Sequence, residues 1–418
     1  VPFDQAIEQL RDRLAQIADT VPGMRQICVN FSPDTDALNW LASQRCWPQF
    51  YWQSRCGEQS VAACGAVERY YSMAQATRHL GQLPSGWRLF GANSIDGDSY
   101  LFLPVLLWQQ DSDGQRLILN LISDISVQQE AQRLLRWLDE LRPMEPAAQL
   151  PHYHRAHHAP DKDGWLQQVN QALKAITGGD LDKVVLARVT DFSLSGPISP
   201  AALLAASQRI NPRCYHFMLA TEPQQALVGS SPERLYARRG REMDTEALAG
   251  TADLDQPGLL DDAKNQWENS LVVADIHQRL TDIVDEMAVM PVELVPLRHL
   301  QHLRRRISAR LLQADDAQCV ARLQPTAAVG GLPRAAALDF IHQHEPFDRG
   351  WYSGSVGYLS QDESEFNVVL RCAQTGGEQI RLYAGAGIVS GSDPELEWQE
   401  VERKAATLGT LLTAENQG

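Results

Sequence analysis

Apolar residues along this chain recur with two periods. Short runs dominated by β-branched, aromatic and aliphatic residues, "SYLFLPVLLWQ" (99–109), "QRLILNLISD" (115–124), "QALVGS" (225–230), "ERLYARR" (233–239), "GSVGYLS" (354–360), "FNVVLRCA" (366–373) and "QIRLYAGAGIV" (379–389), predict strands. Turn residues such as "SSP" (230–232) and "GG" (376–377) separate some of them, which favours antiparallel pairing in a large sheet. Helical periodicity marks "VPFDQAIEQLRDRL" at the start, "SMAQATRHLGQL" (72–83), "DGWLQQVNQALKAITGG" with Asp163 as N-cap and Gly178 as stop, the long 262–287 segment, and 393–415. Strands and helices come in blocks without a regular βαβ rhythm, so the fold class is α+β.

The stretch 142–164, "RPMEPAAQLPHYHRAHHAPDKDG", has no hydrophobic period and reads as a solvated connector, which divides the chain into a sheet-rich region over 1–150 and a second region over 160–415. The two regions are expected to pack into one fold. His152, His154, His157 and His158 lie in the connector without a carboxylate or cysteine at ligand spacing, so a solvated linker is favoured over a metal cluster.

Composition narrows the function classes. The 418 residues are 44% hydrophobic and 21% charged, as in ordinary globular proteins. The longest apolar run, Tyr100 to Trp108, is too short to span a bilayer, and the N-terminal segment lacks the apolar stretch of a signal peptide, so a cytoplasmic location is expected. A net charge of −15 without a sustained basic stripe argues against nucleic acid or an anionic membrane as partner. The seven cysteines are scattered and odd in number, and are expected to be reduced thiols.

Two helices carry acid where their apolar stripes predict more core. In the C-terminal helix, capped by Asp393 with Pro394 at the first helical position, the row Val401, Ala405, Leu408 and Leu412 extends back to Glu397, with Glu400 and Lys404 on its border. In the 262–287 segment the row Val272, Ile276, Leu280 and Val284 extends back to Glu268, with Asp275 close to the same side. Either each glutamate favours the positive end of its helix and reaches water, or the acids converge on a hard divalent cation such as Mg²⁺. Lys183 raises a similar question at the start of the apolar run "KVVLAR". Either its stem packs along the strand and its head reaches solvent, or burial disfavours the ammonium and leaves an amine able to accept a proton. Glu233 follows the "SSP" turn, a position that suits a surface carboxylate. "AGAG" (384–387) fits either a bulged strand or backbone exposed to a ligand's oxygens.

The motifs "GDLDKVVLAR", "GSSPERL", "TEALAGT", "KNQWENSLVV", "QHLRR", "LQPTAAVGGLPR", "HEPFDRGWYSGSVGY" and "AGAGIVSGSDPELEWQE", followed by Lys404, run in order over about 165–410. In them the chain resembles the chorismate-utilising enzymes, and within that family the isochorismate-forming members of menaquinone biosynthesis; "WLASQRCWPQFYWQSR" (40–55) is similar to their N-terminal part. The resemblance implies large antiparallel sheets in two layers wrapped by helices, with the active site between them. It implies Mg²⁺ held by Glu268 and Glu400 with Glu397 nearby, and the enolpyruvyl carboxylate of chorismate held by Tyr352 and Arg371. Leu248, Gly250, His302, Thr326, Gly385, Gly387 and Lys404 would complete the pocket.

In family members that aminate chorismate, a glutamine stands at the position of Lys183, because ammonia from a glutaminase partner needs no base; no such subunit is expected here. Addition of water at C2 does need one, which assigns Lys183 as general base and Glu233, if kept protonated, as the acid for the departing C4 hydroxyl. Ala249 occupies the position of the nucleophilic lysine of the aminodeoxychorismate-forming members. Salicylate synthase, which forms isochorismate and then eliminates pyruvate, is the alternative. Asn265 replaces a second acid found in some members, and the 252–263 segment is shorter than in close relatives, which bears on loop closure over the metal.

Overall fold

The computed structural model describes residues 1–32 and 34–414. Among them are twenty strands and ten α-helices, and every strand pairing is antiparallel. Side-chain alternation sorts the strands' residues into two kinds of core. Phe50, Trp52, Phe90, Phe102, Tyr215 and Tyr358 belong to a cluster built from strand and turn residues alone. The intervening positions, Tyr51 and Met218 among them, pack instead with helices on the outside. With both faces buried, the runs read as continuously apolar in place of alternating apolar and polar. Strands from distant parts of the chain interleave: Leu89–Asn93 pairs with Ser355–Leu359, and Gln49–Gln53 with Tyr215–Glu222. Among the described residues no helix is long and apolar enough to cross a membrane.

Several expectations are corrected. The connector contains a strand, Tyr153–Ala159, paired along the edge of Lys183–Leu194. Its residues are largely solvent-facing, so backbone pairing holds it without a hydrophobic period. The helix that follows, Lys162–Thr177, is capped by Asp161, whose side chain accepts from Gly164 N, in place of Asp163. The 262–287 segment is helical only over Ala263–Leu280; Val284–Val289 is a strand, captured by the free edge of Leu300–Leu311. The C-terminal helix spans Pro394–Gly409 and tightens into a 3₁₀ turn over Thr410–Leu412, while Glu415 lies outside the described residues. "FNVVLRCA" breaks in two, because Val368 pairs with Ser355 whereas Cys372 pairs with Gly229 and Tyr383. The break is a left-handed kink at Arg371, φ 47°. Cys46 and Cys64 form a disulfide across 6.2 Å between Cα atoms, against the expectation of free thiols: the register Gln49↔Cys64 returns the second cysteine beside the first.

Candidate active site

The cavity forms where two neighbouring strands part. Lys183–Leu194 and Gln379–Val389 pair in unbroken register, Lys183↔Val389, Val185↔Gly387 and Ala187↔Gly385, so "AGAG" is regular strand and not a bulge. The next strand, Cys372–Gly376, pairs only as far as Cys372↔Tyr383, and a cavity opens beside residues 384–387. Glycine is required there by close approach. A Cβ at Gly385 would lie 2.5 Å from the Tyr352 hydroxyl, and one at Gly387 would lie 2.8 Å from Lys183 Cε and press on Glu268. The backbone exposed on this edge finds a partner in Lys404, whose Nζ donates to Gly385 O at 2.7 Å.

Lys183 is fully buried, so its head does not reach solvent. It shares the inner face of its strand with Val185, Ala187 and Val189, while Val184 and Leu186 pack outward with Trp165 and Trp398. Nζ stands 3.1 Å from Glu268 Oε1, an ion-pair distance without hydrogen-bond orientation, so no acceptor fixes its protons. Glu233 is also buried, 2% exposed, and lies between the strands Gln225–Ser231 and Arg234–Arg239, with its N–H donating to Ser231 Oγ. Burial pushes its carboxyl up to about 8, the nearby Glu246 pushes the same way, and Lys183, Arg371 and Lys404 only partly oppose them. A neutral, proton-bearing Glu233 at pH 7 follows.

The acids of the two helices do not snorkel: Glu268 and Glu397 are 8% and 3% exposed. Each faces a lysine, Glu268 with Lys183, Glu397 with Lys264 at 2.9 Å, and Glu400 with Lys404 at 3.0 Å. Glu397 is nevertheless raised to about 7, by burial first and then by the charge of Glu400, with Glu268 adding to it. Three mutually felt carboxylates with only oxygen donors fit a hard cation in chemistry. In their present orientation, among the described residues, no three such side chains converge as ligands.

At the other end, Arg371 Nη2 lies 3.2 Å from His302 Nε2 and Thr251 Oγ1 lies 2.9 Å from His302 Nδ1. A guanidinium only donates, so Nε2 accepts and Nδ1 carries the hydrogen. Burial, with Arg371 and Lys404 beside it, holds the ring well below its ordinary value, consistent with a neutral imidazole. Arg371 Nη1 is buried without a partner, a donor left for a ligand. Tyr352, Leu248, Gly250 and Ala249 line the same cavity, Gly250 at a left-handed φ of 95° where a Cβ would meet Asn265 O at 3.0 Å. Asn265, in place of a second acid, bonds Thr251 N and Asp262.

Thr326 is set apart from the cavity surface. Its hydroxyl accepts from Ala328 N within its own turn, and Ala328 and Val329 provide the wall. Sequence reasoning missed Thr251, Lys264 and the buried pair Glu345–Arg349. Arg349 donates to Glu345, Val329 O, Val185 O and Ser353 Oγ, while Glu345 accepts from Ala187 N, which ties the strand of Lys183 to two loops of the cavity wall. The signal available was the spacing of four between Glu345 and Arg349.

Residues 92–413 match the family described as "Chorismate binding enzyme". The chain belongs to this family. It is 47% identical to "Isochorismate synthase MenF" of Escherichia coli (strain K12), over 98% of this chain and 99% of that protein. The Haemophilus influenzae protein of the same name is 40% identical, over 91% and 90%. The solved structure of MenF, the menaquinone-specific isochorismate synthase from Escherichia coli, superposes with a TM-score of 0.94 at 46% identity, covering 98% of this chain and 99% of that one.

Proposed function

We infer that the protein is an isochorismate synthase, converting chorismate to isochorismate by adding water at C2 and releasing the C4 hydroxyl. The observation that carries this reading is the placement of a buried lysine and a buried, protonated glutamic acid at one cavity with Arg371 and Tyr352. Lys183 takes a proton from the incoming water as its oxygen bonds to C2. The two conjugated ring double bonds shift in turn, C1=C2 to C6=C1 and C5=C6 to C4=C5, the C4–O bond breaks, and the hydroxyl leaves as water with the proton of Glu233. Transfer of a proton from the lysine back to the glutamate restores both groups. Arg371 and Tyr352 would hold the enolpyruvyl carboxylate, Arg371 through its free Nη1.

Mg²⁺ would be held by Glu268 and Glu400 with Glu397 nearby, in place of their lysine partners. When bound it would orient the ring carboxylate and offset charge moving through the conjugated system. The full-length similarity to a menaquinone-specific relative favours menaquinone synthesis as the destination of the product. The test is to incubate purified protein with chorismate and Mg²⁺ and separate the products. Isochorismate formed without ammonia is expected; appreciable pyruvate and salicylate would convert the assignment to salicylate synthase, and a requirement for ammonia would overturn the role of Lys183.

A further inference from the structure

Arg371 and Pro232 line a second chamber as well as the catalytic cavity. This chamber in turn shares His299 and Arg403 with a surface cleft. Three spaces therefore lie in series, from solvent to Arg371. The middle one is lined by Arg298, Arg371 and Arg403 and by no carboxylate, although acids outnumber bases 52 to 37 in the chain. Among the described residues neither Arg298 nor Arg371 forms an ion pair; Arg298 reaches only Thr410 Oγ1, at 3.1 Å. Arg371 Nη1 and His299 Nε2 are buried without a hydrogen-bond partner. A buried guanidinium donor such as Arg371 Nη1 is costly to leave in this state, and an incoming anion would satisfy it.

We propose that the middle chamber is a carboxylate-binding antechamber through which the anionic substrate reaches the catalytic cavity. The proposal rests on chorismate being the substrate. Arg403 stands where the chamber meets the cleft, paired at 2.5 Å with Asp253, and Asp253 lines the cleft but not the chamber. Exchange of Asp253 for an incoming carboxylate opens the way without stranding the guanidinium. Arg298 and then Arg371 receive the anion further in, and Arg371 delivers it because its side chain borders both spaces. The same ion pair joins the helix of Glu400 and Lys404 to the strand of Leu248 and Gly250, so it also bridges two walls of the catalytic cavity.

Thr407 lines the chamber and is partly exposed, which makes it a place for a removable plug. Thr407→Cys is labelled with a bulky anionic thiosulfonate, with the parent protein treated in parallel to account for the exposed Cys28 and Cys56. Labelling is expected to lower kcat/KM for chorismate at least about tenfold relative to the unlabelled variant, with recovery on reduction. In parallel, Arg298→Gln is expected to lower kcat/KM about fivefold while kcat holds, and to flatten the dependence of kcat/KM on salt. A labelled enzyme within about twofold of the unlabelled one, or an Arg298→Gln enzyme with unaltered kcat/KM and salt dependence, overturns the route. Failure of the untreated parent to turn over chorismate overturns the substrate assignment, and the route with it.

Discussion

Lys183 and Glu233 are both buried, and the chemistry assigned to them predicts different signatures when each is changed. Lys183→Ala removes the proposed base and is expected to lower kcat by about 10²–10⁴ with an unaltered circular dichroism spectrum; a fully active variant would reject the assignment. Glu233 is held near 8 against an ordinary 4.5, so between those values the folded protein keeps a proton that the unfolded chain has released. Its contribution to stability is full at acid pH and is lost as pH rises through that window. In the proposed reaction the same proton serves as the acid, so kcat/KM should fall above about pH 8, and Glu233→Gln should lose both rate and that alkaline limb. Glu268→Gln should raise the Mg²⁺ concentration for half-maximal binding by about 10–100-fold in a calorimetric titration; an unchanged affinity would remove Glu268 as a ligand. Lys183 and Glu268 were legible because each stands where an apolar pattern predicts more core, whereas Glu233, after the "SSP" turn, was singled out only by the family resemblance. Arg349 was not, since an arginine in "FDRG" reads as a surface turn and only the folded chain surrounds it with acceptors.

The elements that carry the site were read with uneven success, for reasons of context. The C-terminal helix announces itself through Asp393 and Pro394, and Asp393 accepts from Glu395 N and Leu396 N as its cap. Asp393→Ala should cost about 1 kcal/mol in urea denaturation, and should loosen the turn that presents Glu397 to Lys264. The end of the Glu268 helix was misplaced because Ile283 and Val284 continue its apolar row, whereas strand pairing with Leu300–Leu311 claims the chain from Val284 on. The kink at Arg371 could not be seen in "FNVVLRCA", since it arises from a change of pairing partner. Thr326 was expected in the pocket from its motif, yet its hydroxyl serves its own turn.

Across the whole molecule, the sheet splits around the cavity and the Glu345–Arg349 pair closes the gap beside the strand of Lys183. Arg349→Met leaves a carboxylate buried and unbalanced, with an expected loss of about 3–5 kcal/mol in chemical denaturation. Adding Glu345→Gln should recover part of it, because the stranded charge is then gone. The α+β class and antiparallel pairing were foreseeable from blocks of short runs and turns, but the identity of each strand's neighbours was not, because register depends on segments far away in the chain.

The pairing of Leu89–Asn93 with Ser355–Leu359 also governs how the protein can be made. During synthesis the earlier segment leaves the ribosome long before its neighbour exists, and an apolar ribbon with open edges invites association with other nascent chains. Expression at low temperature or with added chaperone should therefore raise the soluble yield, and a fragment stopped short of residue 355 should collect in inclusion bodies.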